Sequence, residues 1–195
     1  MEVNDPAIAY HKKRYTIKEY LEMEDAATEK HEYYKGEIFA MSGASVNHNI
    51  ITGNLYYHLR GKLSVGGCKP FAGDFRIYIP QNSLFTYPDI SIICGAIETL
   101  DNDNINVLNP SVIIEVLSHS TRSYDSREKF ELYKAIPSLK EYILVDSLAV
   151  FVQVSMRDGV GNWSAFEYNY VTQAAEIKSV NISVSIDSLY GGVTF

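Results

Sequence analysis

The sequence predicts a mixed α/β (α+β) fold: a mixed central sheet flanked by helices, with an extra C-terminal β meander. Three observations carry this. Residues 112–117 and 142–146 are continuous apolar runs, the pattern of strands buried on both faces. Residues 47–63 keep a helical period through Ile50, Ile51, Leu55, Leu59 and Leu63, weakened only by Gly53. Strand-like segments at 149–155, 163–170 and 174–184 then follow with no helical pattern between them. At 195 residues the chain suits one domain, expected over 15–195, after a flexible N-terminal arm at 1–14.

In chain order, Thr16 reads as an N-cap, with Glu19 completing a capping box, and opens a short helix to about Met23. Residues 31–41 read as two strands around a Lys35-Gly36 turn. Gly66-Gly67 ends the long helix. Strands at 75–79 and 88–94 are joined by the polar turn Pro80-Gln81-Asn82-Ser83, and the Asp- and Asn-rich stretch 101–109 is a loop. After the 112–117 strand comes a loop to Tyr124, then a helix from Ser126 to Ile136, stopped by Pro137. Asp158-Gly159 marks a hairpin turn.

The net charge of -7 argues against avid nonspecific nucleic-acid binding, although a local basic stripe or a metal cluster could overcome it. Cys68 and Cys94 form no metal motif or disulfide framework, and both are expected to be reduced. The N-terminus lacks a signal-peptide pattern, and no window approaches a membrane span, so a cytoplasmic location is expected. Two Asn-X-Ser sequons, at Asn162 and Asn181, then carry no information. His11, His31, His58 and His119 show no zinc spacing, and there is no phosphate-cradling glycine loop or serine nucleophile elbow.

The chemistry gathers on two acids. Glu115 sits inside the run Val112-Ile113-Ile114-Glu115-Val116-Leu117, where a carboxylate is costly unless paired or metal-bound. Arg76 and Lys129 are the possible ion-pair partners. Asp89 follows Pro88, which places it at a strand start or bend, facing a cleft or simply forming a turn. Two such acids suggest a shared divalent metal, Mg²⁺ or Mn²⁺. Asp125, Lys129 and Tyr133 recur at four-residue steps on one helix face. Asp125 is explained as the N-cap, with Glu128 in its capping box. Lys129 lies near the helix start, where the dipole disfavours a cation, so a nearby anion, a carboxylate or a substrate phosphate, is expected, with a solvated surface lysine as the alternative. Carboxylates, a divalent metal and a lysine are the set that phosphodiester cleavage needs. Taken alone, Glu32 is a surface glutamate and His48 a cap-region histidine.

Together these pieces resemble the Uma family, a large bacterial set long filed as a domain of unknown function and placed in the PD-(D/E)XK nuclease superfamily. The resemblance spans about Tyr15 to Ile186. It rests on Glu32-Tyr33-Tyr34-Lys35-Gly36-Glu37, His48, Pro88-Asp89-Ile90-Ser91, Glu115 to Thr121, the Asp125, Lys129 and Tyr133 helix, and Glu141 to Asp146. It implies a restriction-endonuclease-like fold and a Mg²⁺- or Mn²⁺-dependent endonuclease acting on DNA. Asp89 and Glu115 would be the two motif acids and metal ligands, Glu32 a further catalytic and metal-binding acid, and Lys129 the catalytic lysine. The superfamily's lysine stands two residues after the second acid, where this chain has Leu117. A homodimer suits duplex cleavage. The alternatives are a degenerate nuclease fold that binds nucleic acid or protein, and a hydrolase of small phosphoesters.

Overall fold

The protein is described by a computed structural model covering residues 13–41, 43–63, 67–119 and 122–195. Most of the expected arm, residues 1–14, and Gly66 lie outside it.

Helix α1 (Ile17–Ala26) begins with the expected capping box, Thr16 Oγ1 accepting from the Glu19 N–H at 3.2 Å and the Glu19 carboxylate accepting from the Thr16 N–H at 2.8 Å. Strands β1 (His31–Tyr34) and β2 (Glu37–Ala40) turn over Lys35 and Gly36, both at positive φ (46° and 92°), as a tight hairpin requires. Helix α2 (Val46–Lys62) starts at the Ser45 N-cap. Strands β3 (Cys68–Ala72), β4 (Arg76–Ile79), β5 (Leu84–Thr86), β6 (Ile90–Cys94), β7 (Asn106–Val107) and β8 (Val112–Leu117) follow. A π-helical turn at Tyr124–Lys129 runs into α3 (Phe130–Tyr133). Strands β9 (Glu141–Asp146), β10 (Val152–Arg157), β11 (Trp163–Tyr168), β12 (Ala174–Ile177) and β13 (Ile182–Ser185) lead to α4 (Ile186–Leu189).

The mixed α/β class is as expected, but the strands divide between two large sheets. One has the order β2-β1-β5-β4-β7, the other β11-β10-β9-β8-β6-β3, and β12 and β13 form a separate hairpin. In the second sheet β8 and β9 are parallel and the other neighbours antiparallel. The turn at 80–83 therefore joins β4 to β5, not to β6. The segment 174–184 is two strands rather than one, and the 101–109 loop contains β7. Strand β3, absent from the sequence reading, carries Pro70 at the sheet edge, where a missing ladder donor is tolerated.

Alternation along β8 separates two cores. Val112, Ile114 and Val116 join α2, α4 and the C-terminal hairpin in one apolar cluster. Ile113 and Leu117 face the other way, into a cluster with Ile77, Ile79 and Leu84 of the first sheet and Tyr133 of α3. The far face of the first sheet packs Tyr33, Tyr78 and Phe85 against Tyr20 of α1.

The expectation of two reduced cysteines is corrected. Cys68 and Cys94 lie directly opposite in the β3/β6 register, with Cα atoms 3.9 Å apart, and form a disulfide. The pairing depends on a strand contact that spacing could not reveal. No helix among the described residues is long and apolar enough to cross a membrane.

Candidate active site

Strands β6 and β8 bring the two acids together. One step beyond the Ile90↔Ile114 pair, Asp89 stands opposite Glu115 at the mouth of the β6/β8 ladder. The Val116 N–H donates to Asp89 Oδ2 at 2.7 Å, and the Asp89 N–H donates to Glu115 Oε2 at 3.3 Å. Glu115 sits on the sheet face that carries Ile113 and Leu117, turned toward Lys129 and Tyr133.

That helix delivers Lys129. Its Nζ lies 2.9 Å from Glu115 Oε1, 3.0 Å from Glu32 Oε1 and 3.7 Å from an Asp125 oxygen. Glu32 comes from β1 of the first sheet, so the ammonium bridges the two sheets. Tyr133 donates its hydroxyl to Glu115 Oε1 at 2.8 Å, and the Thr86 hydroxyl donates to Glu32 Oε1. Asp125 does not N-cap the helix, which corrects the expectation. It is buried within the π-helical turn and faces Lys129. Such turns often mark functional sites. Arg76, the other possible partner of Glu115, instead bonds the Asn106 side chain and the Tyr87 hydroxyl.

His48, on the first turn of α2, places Nε2 3.2 Å from Asp89 Oδ2. Its pKa is raised: burial pulls it down, but the bond to Asp89, the Asp89 charge, a backbone bond at Val116 and the Asp125 charge together outweigh burial. Burial pushes the Glu115 carboxyl up to about 8, against the pull of Lys129, with Asp125 and Asp89 pushing further up. Burial works against the Lys129 ammonium, but Glu115, Tyr133, Glu32 and Asp125 more than compensate and hold its pKa well above the usual lysine value. The site is thus a cation kept protonated by the acids around it.

These groups line a cleft of about 200 Å³ with Met41, Ala44 and Ser118 along its wall. Mg²⁺ and Mn²⁺ prefer hard oxygen donors, and Mg²⁺ is commonly held by one or two carboxylates with several waters retained. Asp89, about a quarter exposed on the cleft, and the adjacent Glu115 Oε2 fit that donor set. Glu32 Oε1 serves Thr86 and Lys129, as Glu115 Oε1 serves Tyr133 and Lys129. No group of three or more acidic, histidine or cysteine side chains suited to a metal ion occurs among the described residues. Leu117, at the superfamily lysine position, points to the same face as Glu115 but is buried among apolar side chains. Thr86 and Tyr124 also border this constellation, and no sequence pattern singled them out. His48 was visible only through the resemblance.

The structure thus sets paired acids on neighbouring strands beside a helix-borne lysine. The chain belongs to the Uma2 family, described as "Putative restriction endonuclease", whose profile it matches over residues 17–185. It is 35% identical over 177 residues to "Uncharacterized protein slr1290" of Synechocystis sp. (strain ATCC 27184 / PCC 6803 / Kazusa), covering 91% of this chain and 92% of that protein. It is 38% identical over 148 residues to "Uncharacterized protein sll1609" of the same organism, covering 76% and 84%. The fold resembles the crystal structure of "a putative nuclease belonging to DUF820" from Anabaena variabilis ATCC 29413, with a TM-score of 0.76 and 18% identity, covering 92% of this chain and 99% of that one.

Proposed function

We propose that this protein is a Mg²⁺- or Mn²⁺-dependent endonuclease that hydrolyses phosphodiester bonds in DNA. The carrying observation is the contact between Asp89 and Glu115 on adjacent strands, with Lys129 Nζ 2.9 Å from Glu115. Asp89 and Glu115 would hold the metal, which would supply a lowered pKa for an attacking water and positive charge beside the phosphate. The Val116 N–H and His48 fix the Asp89 carboxylate toward the cleft. Tyr133 and Lys129 fix Glu115. Lys129, held protonated, adds positive charge beside the reacting phosphate. Glu32 orients that ammonium and is the further acid proposed to reach the metal.

Plasmid nicking by the purified protein in Mg²⁺ or Mn²⁺, beside Asp89→Asn and Glu115→Gln, tests the reading. The expected result is metal-dependent nicking that both variants lose. Nicking that survives either substitution overturns the assignment of the acids. Two chains related by a twofold axis would present two sites to a duplex, and the reading includes such a homodimer.

A second reading, a non-catalytic binding module, draws on Leu117 and on the engagement of Lys129 by acids from both sheets. It predicts no nicking in either metal and unchanged nucleic-acid binding in Glu115→Gln.

A further inference from the structure

Beside the cleft lies a second hollow, of about 670 Å³. Tyr34, Phe39, Tyr124 and Leu132 give it apolar walls, and Glu128 and Glu131 line it from the helix. It adjoins the cleft: Glu32, Phe39 and Tyr124 border both. Phe39 keeps 44% of its surface exposed at this junction. Lys134 pairs with Glu131 at 2.6 Å, which leaves Glu128 as the carboxylate better placed for a ligand. At the β1–β2 turn, Lys35 Nζ lies 5.1 Å from the centre of the Tyr34 ring.

We infer that this hollow binds one unstacked nucleobase of the substrate strand, next to the bond being cut, and favours bases with an exocyclic amino group. The inference rests on the hydrolytic reading for its place beside the reacting phosphate. Aromatic faces accept any base by stacking. Carboxylates on the wall repel a phosphate, so the sugar-phosphate backbone stays outside. The same carboxylates accept from an amino group such as cytosine N4. Adenine N6 offers a comparable donor, and thymine has no exocyclic amine. A continuous duplex keeps its bases stacked, so the hollow fits single-stranded, frayed or extruded positions.

Fluorescence anisotropy with fluorescein-labelled oligo-dC, oligo-dA and oligo-dT, in EDTA and again in Ca²⁺, tests this without requiring hydrolysis. Wild type is expected to bind dC and dA about tenfold more tightly than dT, on the scale of one good base contact. Glu128→Ala should erase that preference. Phe39→Ala should weaken all three oligonucleotides by about tenfold, the scale of one lost stack. Phe39→Tyr should restore binding, which separates stacking from a folding defect. Equal affinities for the three, no binding, or both alanine variants matching wild type would overturn the inference. Base-selective binding by a protein that nicks no plasmid removes the hydrolytic reading and keeps the base site. Nicking without base selectivity does the reverse.

Discussion

Asp89 and Glu115 clasp each other through the main chain: the amide of Asp89 donates to the Glu115 carboxylate at 3.3 Å, while the amide following Glu115 donates to the Asp89 carboxylate at 2.7 Å. Each acid therefore helps set the position of the other. Asp89→Ala leaves the Val116 N–H without its acceptor and should cost about 1–3 kcal/mol, the penalty for an unsatisfied buried donor. Asp89→Asn keeps an acceptor oxygen and should cost clearly less. Urea unfolding of the two variants checks the difference; equal losses would show that the Val116 bond contributes little.

Lys129→Met removes the cation among Glu115, Glu32 and Asp125. Breaking a buried pair from one side costs about 3–5 kcal/mol, so the midpoint of unfolding at neutral pH should fall sharply. Adding Glu32→Gln to Lys129→Met should recover part of the loss, because a carboxylate left without its cation is gone, whereas Glu115, already pushed up to about 8 beside the lysine, takes a proton. A double variant no more stable than Lys129→Met would contradict the charge argument.

The capping box of α1 carries a pH signature. Glu19 is exposed, and the Thr16 N–H and hydroxyl hold its carboxyl below the usual range. Because the folded value is lowered, its contribution is present above the unfolded Glu pKa and is lost as pH falls through the folded value. Glu19→Gln should flatten that acid-side limb. Thr16→Ala should cost about 1 kcal/mol at neutral pH. Thermal melts between acid and neutral pH provide the check.

The Cys68–Cys94 bond closes a loop across a sequence separation of 26. Reduction, or Cys68→Ser with Cys94→Ser, should lower stability by about 2–4 kcal/mol. Thiol titration of unfolded protein kept free of reductant should find both cysteines blocked. Two reactive thiols there would refute the disulfide.

Glu141 is fully buried and accepts from the Lys178 N–H at 2.9 Å, the Ser179 N–H at 3.0 Å and the Ser179 hydroxyl. It ties the C-terminal hairpin to the second sheet. Glu141→Ala should expose amides of the β12–β13 connection to faster hydrogen exchange and cost about 2–5 kcal/mol, the sum for orphaned donors near a lost charge. Exchange unchanged at Lys178 and Ser179 would contradict that anchoring role.

What the sequence disclosed follows the range of the forces involved. Glu115 was legible because an acid inside a β-branched run is anomalous by itself, and Pro88 marked Asp89 for a similarly local reason. The Thr16 box and the Lys35-Gly36 turn are also local devices, and they appear as expected. The cysteine pair was hidden because β3 was. Its Pro70 masks a strand pattern, and its place at a sheet edge depends on the whole fold. Strand β5, only three residues long, offers no periodicity to read. Asp125 misled because a cap aspartate and a buried aspartate look alike one helical turn before a lysine. Only the π-helical turn, which sets the phase of the inner face, distinguishes them.

The ammonium of Lys129 reaches a carboxylate on each large sheet, Glu32 on one and Glu115 on the other. It therefore works as a rivet through two plates as well as a charge. On the proposed nuclease reading, a rivet drawn toward a phosphate would loosen its hold on the plates, so that chemistry and mechanical cohesion would compete for one nitrogen. Occupancy of the cleft should then register as altered compliance between the layers, a signal that reaches Tyr33 and Phe85 on the far side of the first sheet without any residue there meeting the substrate.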